Sequence, residues 1–173
     1  VNDLISQLEA LALRAPEEVQ PSILLVRAYQ LAQQDEKAIV ALERVLARDP
    51  FNAQILYELG SAHMRLEDFE AAREALQRSL QIEPAQPNAY VQLALISALQ
   101  GDGVAYVRNL LEALAVDPRD QDLPGLIADF LYGLELVDEG DDFRARVVTI
   151  APTSEIAYRT ELARAVARGQ RGL

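Results

Sequence analysis

Residues 53–86 read AQILYELGSAHMRLEDFEAAREALQRSLQIEPAQ, and the proline near the end of this stretch is Pro84. Prolines recur at intervals of 34 residues along the whole chain, at Pro16, Pro50, Pro84, Pro118 and Pro152. Self-similarity at a fixed period of about 20–50 residues is typical of repeat architectures. Residues 53–86 are therefore interpreted as one unit of an array.

Each proline follows a segment with helical periodicity. The position four residues before it is apolar in all five cases, as Ala12, Leu46, Leu80, Leu114 and Val148. The position eight residues before it is leucine in four cases, and only Arg144 departs from that series. Such spacing places the apolar residues on one helical face, and proline ends the helix because it has no amide hydrogen to donate.

A second break divides each unit near its middle, at Gln33-Gln34-Asp35, Glu67-Asp68 and Gly101-Asp102-Gly103. Two amphipathic helices with short connections cannot bury their apolar faces alone, so neighbouring pairs must stack. The pattern therefore predicts about ten helices, arranged as antiparallel pairs in an all-α chain.

The period also predicts the organisation of the chain as a single array over residues 1–173. The expected parts are the second helix of a partial repeat (1–16), three repeats (19–52, 53–86 and 87–120), a degenerate repeat (121–154) and a terminal capping helix (155–173).

The two ends and the degenerate unit carry finer expectations. In the first helix we expect Leu4, Leu8 and Leu11 to face inward, and in the last helix Ile156, Leu162 and Val166. One explanation of the degenerate unit is a shifted turn at Asp138-Glu139-Gly140, followed by a short helix over residues 141–150.

The unit at residues 53–86 resembles a tetratricopeptide repeat (TPR). Its first helix matches the family pattern at Leu56, Leu59 and Gly60, and its second helix at Phe69, Ala72, Leu76 and Pro84. The resemblance covers essentially the whole chain and implies a right-handed α-solenoid of 34-residue helix pairs. Small side chains at Gly60 and Ala72 are expected where the paired helices cross most closely.

Composition narrows the classes of partner. The formal charge is −11, which disfavours nucleic acid and anionic membrane surfaces, because both are bound through cationic residues. No apolar run approaches the roughly 20 residues of a membrane helix, so we expect a soluble protein without direct membrane insertion, in either the cytoplasm or the periplasm. Fifteen arginines against one lysine suggest a GC-rich bacterial source.

No catalytic constellation stands out in the sequence. The chain has no cysteine and a single histidine, His63, which leaves no thiolate or histidine cluster for a metal. Glycine-rich phosphate-binding motifs are missing, and the acidic group at residues 138–142 lacks the ligand spacing of a calcium loop. We therefore expect no enzymatic activity, no metal and no cofactor.

The resemblance implies a protein or peptide partner, held on the concave face that the first helices of the pairs form. The family's groove positions fall here on Arg27, Gln30, Gln54, Tyr57, Ser61, Met64, Arg65, Asn88, Val91, Gln92, Leu95 and Tyr132. Arg27 and Arg65 are a candidate seat for a peptide carboxylate. The alternative is that these arginines pair with Glu58 or Glu67.

The leading functional hypothesis is a protein–protein interaction scaffold that binds a peptide or a helix of its partner in this groove. Two alternatives stay open. The chain is a self-assembly module that forms a homo-oligomer through its terminal helices, with residues 1–14 as the adhesive edge, or it is an accessory domain of a larger enzyme such as a transferase.

Overall fold

The computed structural model describes residues 2–15 and 18–170, which form ten α-helices and no strand. The helices are α1 (Asn2–Arg14), α2 (Val19–Leu31), α3 (Asp35–Leu46), α4 (Ala53–Arg65), α5 (Phe69–Ile82), α6 (Pro87–Leu99), α7 (Gly103–Val116), α8 (Leu123–Gly133), α9 (Val137–Ile150) and α10 (Glu155–Gln170). The prediction of an all-α chain with about ten helices is confirmed.

The chain divides into two compact units, Val1–Ile96 and Ser97–Leu173, called unit 1 and unit 2 below. The division falls inside α6. None of the helices in the described part of the chain combines the length and the apolar character needed to cross a membrane.

Unit 1 is held together by the apolar faces of its successive helices. Leu42 of α3 and Leu56 of α4 are fully buried in one cluster, and a second cluster joins Leu76 of α5 to Leu93 of α6. Burial of a leucine side chain stabilises a fold by about 1.5–3 kcal/mol, so these contacts between helices stabilise unit 1.

A hydrogen bond ties α2 to α1 at the start of unit 1. The hydroxyl of Tyr29 donates to Glu9 at 2.6 Å. Burial of the phenol, together with the adjacent Glu9 carboxylate, raises the pKa of Tyr29 to about 12.

Gly60 lies where α4 and α5 cross. A Cβ atom at Gly60 would stand 2.7 Å from Cγ of Leu76 and 3.2 Å from the carbonyl oxygen of Ala72, and Ala72 itself is fully buried. The prediction that small residues permit this close crossing is confirmed.

The turn inside each helix pair uses one left-handed residue. The φ angle is 55° at Gln33, 60° at Glu67, 75° at Gly101 and 61° at Glu135, and these four residues are spaced by 34 positions. In the two middle turns the aspartate after this residue caps the next helix, since Asp68 accepts from the amide of Ala71 and Asp102 from that of Ala105. The repeat period is thus present in the backbone conformation as well as in the prolines.

The prediction of a shifted turn in unit 2 was wrong. Helix α8 ends at Gly133 and α9 begins at Val137, so the turn spans residues 134–136 and stands in register with the other three. Asp138 and Glu139 lie in the first turn of α9, where carboxylates are favourable near the positive end of the helix dipole. Gly140 lies inside α9, where the Tyr132 ring of α8 packs directly against it.

Helix α1 buries a different face from the one expected. Ile5 and Ala12 are buried and Leu8 packs partly against the core, whereas Leu4 and Leu11 are 53% and 46% exposed. The inward orientation is therefore correct for Leu8 and wrong for Leu4 and Leu11. The apolar arc of α1 is wider than the surface that α2 covers.

Helix α10 also turns a different face inward. It buries the small residues Ala157, Thr160 and Ala167 against α8 and α9, while Leu162 and Val166 are 67% and 55% exposed. The expectation was therefore wrong for Leu162 and Val166, and Ile156 is half-buried. Small residues face inward because they let α10 approach α8 and α9 closely.

Candidate functional site

A cavity of about 790 Å³ opens on unit 1 between α2 and α4. We call it the α2–α4 cavity, and it is lined by Gln30, Gln33, Asp35, Gln54, Tyr57, Glu58, Ser61 and Arg65. Its walls are the first helices of two successive pairs, together with the turn between α2 and α3. The volume lies within the range of about 300–1,000 Å³ that is usual for ligand sites.

The polar residues on the α4 side of the cavity are held by Gln92 of α6. The Nε2 atom of Gln92 donates to the hydroxyl of Tyr57 at 2.9 Å and to the hydroxyl of Ser61 at 2.8 Å. The hydroxyl of Ser61 lies 3.0 Å from the carbonyl oxygen of Tyr57, to which it donates. This network orients the Tyr57 phenol without consuming its own proton, which stays available for a further acceptor.

Arg65 is engaged by Asp35 at the other end of the cavity. Its Nε donates to Oδ1 of Asp35 at 2.8 Å, and its Nη2 lies 2.7 Å from the same oxygen. The arginine therefore pairs with a residue 30 positions earlier rather than with Glu58 or Glu67. The alternative that Arg65 pairs with a carboxylate of this chain is therefore correct, but its partner is Asp35 and not Glu58 or Glu67.

The charge of the lining is slightly negative. Asp35 and Glu58 contribute two carboxylates and Arg65 one guanidinium, while the other lining residues are neutral. The amide of Gln54 donates to Glu58 at 3.2 Å, one helical turn further on. A neutral amide orients this carboxylate without cancelling its charge.

Unit 1 brings together part of the predicted groove set. Gln30, Gln54, Tyr57, Ser61 and Arg65 line the cavity, and Gln92 is bonded to two of its lining residues. Met64 packs partly against the core cluster of α5 and α6.

The remaining predicted groove residues of unit 1 lie outside the lining. Arg27 is exposed on α2, and among the described residues it has no ion-pair partner. On α6, Asn88 is exposed, Val91 is half-buried and Leu95 is half-exposed.

Tyr132 is a core residue of unit 2, so the expectation that it offers its side chain to a groove was wrong. It is 2% exposed, and its hydroxyl donates to Asp141 at 2.9 Å. Burial, together with the Asp141 carboxylate, raises the pKa of Tyr132. The carboxylate also accepts from Arg164 at 2.6 Å and from Arg168 at 3.0 Å, which ties α10 to α9.

Three lining residues, Gln33, Asp35 and Glu58, were absent from the predicted groove set. The signal for Gln33 and Asp35 is the break between α2 and α3, because residues of that turn face the start of the next pair. Glu58 was considered only as a partner for an arginine, although it stands one helical turn after Gln54 on α4.

Comparisons with known proteins bear on the fold of the chain. Residues 23–90 match the family model described as tetratricopeptide repeat. No curated protein matches the sequence.

Solved structures with a similar fold include the crystal structure of MamA, with 22% identity and a TM-score of 0.77 over 84% of this chain and 85% of that one. A tetratricopeptide repeat protein from Parabacteroides merdae is 14% identical, with a TM-score of 0.81 over 88% of this chain and 60% of that one. YrrB, described as a TPR protein with an unusual peptide-binding site, is 14% identical, with a TM-score of 0.70 over 96% and 98% of the two chains. At these identities the likeness shows the fold alone, so the chain has the all-α fold of these TPR proteins, and its residues 23–90 match the tetratricopeptide repeat model.

Proposed function

We propose that this protein is an interaction scaffold that binds a peptide segment of a partner protein in the α2–α4 cavity. The observation that carries the proposal is a cavity of about 790 Å³ in which five of the eight lining residues carry an amide or a hydroxyl group. An extended peptide offers alternating N–H donors and C=O acceptors, and side-chain amides can satisfy both.

The hydrogen bonds around Tyr57 support recognition of a peptide backbone. The phenol accepts from Gln92 and keeps its own proton, so it can donate to a carbonyl oxygen of the bound segment. The Oε1 atom of Gln92 remains an acceptor when the Ser61 hydroxyl donates to the Tyr57 carbonyl oxygen. A donor and an acceptor thus stand side by side, as they do along a peptide strand.

Preorganisation of the lining favours binding. Gln92 fixes Tyr57 and Ser61 from the neighbouring helix, and Asp35 fixes Arg65. Side chains that are already ordered lose less entropy when a ligand arrives. The family provides a parallel, because YrrB is described as having a peptide-binding site on a similar fold.

The test is a pull-down from lysate of the source organism with the native chain and two matched double variants. Gln54→Arg with Glu58→Arg fills the α2–α4 cavity with two long cationic side chains. Gln77→Arg with Glu74→Arg makes the same chemical changes at exposed positions of α5.

Equal helicity of the three proteins by circular dichroism is the first control. We expect a partner that the native chain and the α5 variant retain and that the cavity variant loses. Retention of the same partners by all three chains would contradict the proposed site.

A second candidate function, self-association, is favoured by an exposed apolar face on α10. Tyr158, Leu162 and Val166 are 68%, 67% and 55% exposed, and their spacing places them on one side of the helix. Sedimentation velocity on the 19.1 kDa chain tests it. Association through α10 predicts that the sedimenting mass of the native chain rises with concentration. The Leu162→Glu variant should lose this rise and the Leu31→Glu variant should keep it. A native chain that is monomeric at all concentrations would refute the association.

A further inference from the structure

We infer that the α2–α4 cavity selects peptides with a basic side chain, which binds beside Glu58. The inference rests on the proposed peptide-binding function and adds the chemistry of the peptide. It follows from the charges that the structure leaves unpaired in the cavity.

The positive charge of Arg65 is already neutralised. Its guanidinium contacts Asp35 at 2.7 and 2.8 Å, and the Asp35 side chain is only 13% exposed. A ligand carboxylate at Arg65 would have to displace Asp35 and leave a mostly buried carboxylate without its cation, which is strongly unfavourable. A carboxylate seat built on Arg65 is therefore inconsistent with this pairing.

The negative charge of Glu58 has no such partner. Its contact in the cavity is the neutral amide of Gln54 at 3.2 Å. Within the described part of the chain, no lysine, arginine or histidine nitrogen lies within 4.0 Å of its carboxylate. Glu58 is thus a half-buried carboxylate that faces an open cavity with its charge uncompensated.

The surrounding groups suit an ammonium or guanidinium. Gln30, Gln33 and Gln54, whose side-chain amides each carry a carbonyl oxygen, line the same cavity as Glu58. Lysine and arginine side chains are hydrogen-bond donors without acceptors, so they suit a carboxylate surrounded by amide oxygens. The formal charge of −11 on the whole chain favours the approach of a cationic ligand.

The experiment uses a phage-displayed pool of random nine-residue peptides as the probe. The pool is selected against the native chain and against Glu58→Gln, Glu74→Gln and the cavity-filling variant Gln54→Arg with Glu58→Arg. Glu74→Gln is the matched control, since it removes one carboxylate from an exposed position of α5.

The expected result is enrichment of lysine and arginine in peptides selected by the native chain and by Glu74→Gln. Glu58→Gln should lose this bias and bind the selected basic peptides up to about fivefold more weakly, the range of a solvent-accessible ion pair. Affinity for these peptides should also fall as NaCl rises from about 0.05 M to about 0.5 M, because salt screens the pair.

Two other outcomes distinguish a failure of this inference from a failure of the proposed peptide-binding function. In the first, the native chain selects peptides that the cavity-filling variant does not bind, and these peptides carry no basic bias or are rich in acidic residues. This result would overturn the inference and leave the proposed function in place. A pool that shows no enrichment, or equal enrichment on the cavity-filling variant, would contradict both.

Discussion

Gly140 of α9 lies directly against the ring of Tyr132 of α8, since a Cβ atom at Gly140 would stand 2.5 Å from Cε1 and 2.7 Å from Cδ1 of that ring. The ring cannot move aside easily, because Tyr132 is 2% exposed and its hydroxyl is bonded to Asp141. The crossing of α8 and α9 therefore depends on the absence of a side chain at residue 140.

The first prediction concerns this crossing. Gly140→Ala should lower the free energy of unfolding by about 1–3 kcal/mol, as overpacking of a tight core does. Gly133→Ala is the control, because nothing lies within 4 Å of a Cβ atom there, and it should be neutral or slightly stabilising. Urea unfolding followed by circular dichroism measures both, and equal stability of Gly140→Ala and the native chain would contradict the packing described.

The second prediction concerns the left-handed residue in the turns. Glu67 adopts a φ of 60° and Gly101 a φ of 75°, a conformation that is unfavourable for residues with a Cβ atom. Glu67→Gly should raise the free energy of unfolding by about 0.5–1 kcal/mol, and Gly101→Ala should lower it by a similar amount. Changes of the same sign in both variants would refute the shared role of these positions.

The third prediction concerns acid stability. Hydrogen bonds from Arg164, and to a smaller extent from Tyr132, lower the pKa of Asp141 below its usual value of 3.8. The folded state therefore holds this proton less tightly than the unfolded state. The resulting stabilisation is present above the unfolded-state pKa and is lost as the pH falls through the folded-state pKa.

Asp141→Asn should accordingly lower stability at neutral pH by about 1–3 kcal/mol, because it removes a charge-assisted acceptor. It should also flatten the loss of stability below about pH 4. Thermal unfolding across the acid range measures this, with Asp142→Asn as an exposed neighbour that should follow the native chain. An Asp141→Asn curve parallel to the native one at every pH would rule out the linkage.

The fourth prediction tests the Tyr57 hydroxyl. Tyr57→Phe keeps the ring and removes the group that accepts from Gln92 and is available to a ligand. Affinity for a peptide selected by the native chain should fall about two- to tenfold, the usual effect of one hydrogen bond. Tyr90→Phe makes the same change on α6, outside the lining of the cavity, and calorimetric titration should find its affinity unchanged.

Much of the architecture could be predicted from the sequence because it depends on local rules. Pro50, Pro84 and Pro118 follow the ends of α3, α5 and α7. The breaks near residues 33, 67 and 101 separate the two helices of each pair. Gln54, Tyr57 and Arg65 on α4 were predicted as groove residues from the resemblance to the repeat family. The glycines of the degenerate unit misled the prediction, because Gly140 is required by a ring from another helix rather than by a turn.

The sequence by itself determined how many helices form, which of them are paired and, apart from the turn between α8 and α9, about where they begin and end, because helix propensity, capping and proline act over a few residues. Only the tertiary structure decided which face of α1 and α10 is buried, that Tyr132 belongs to the core, and that Arg65 pairs with Asp35. These outcomes depend on contacts between side chains of different helices, and helical periodicity specifies an apolar arc without specifying how much of it a neighbouring helix covers.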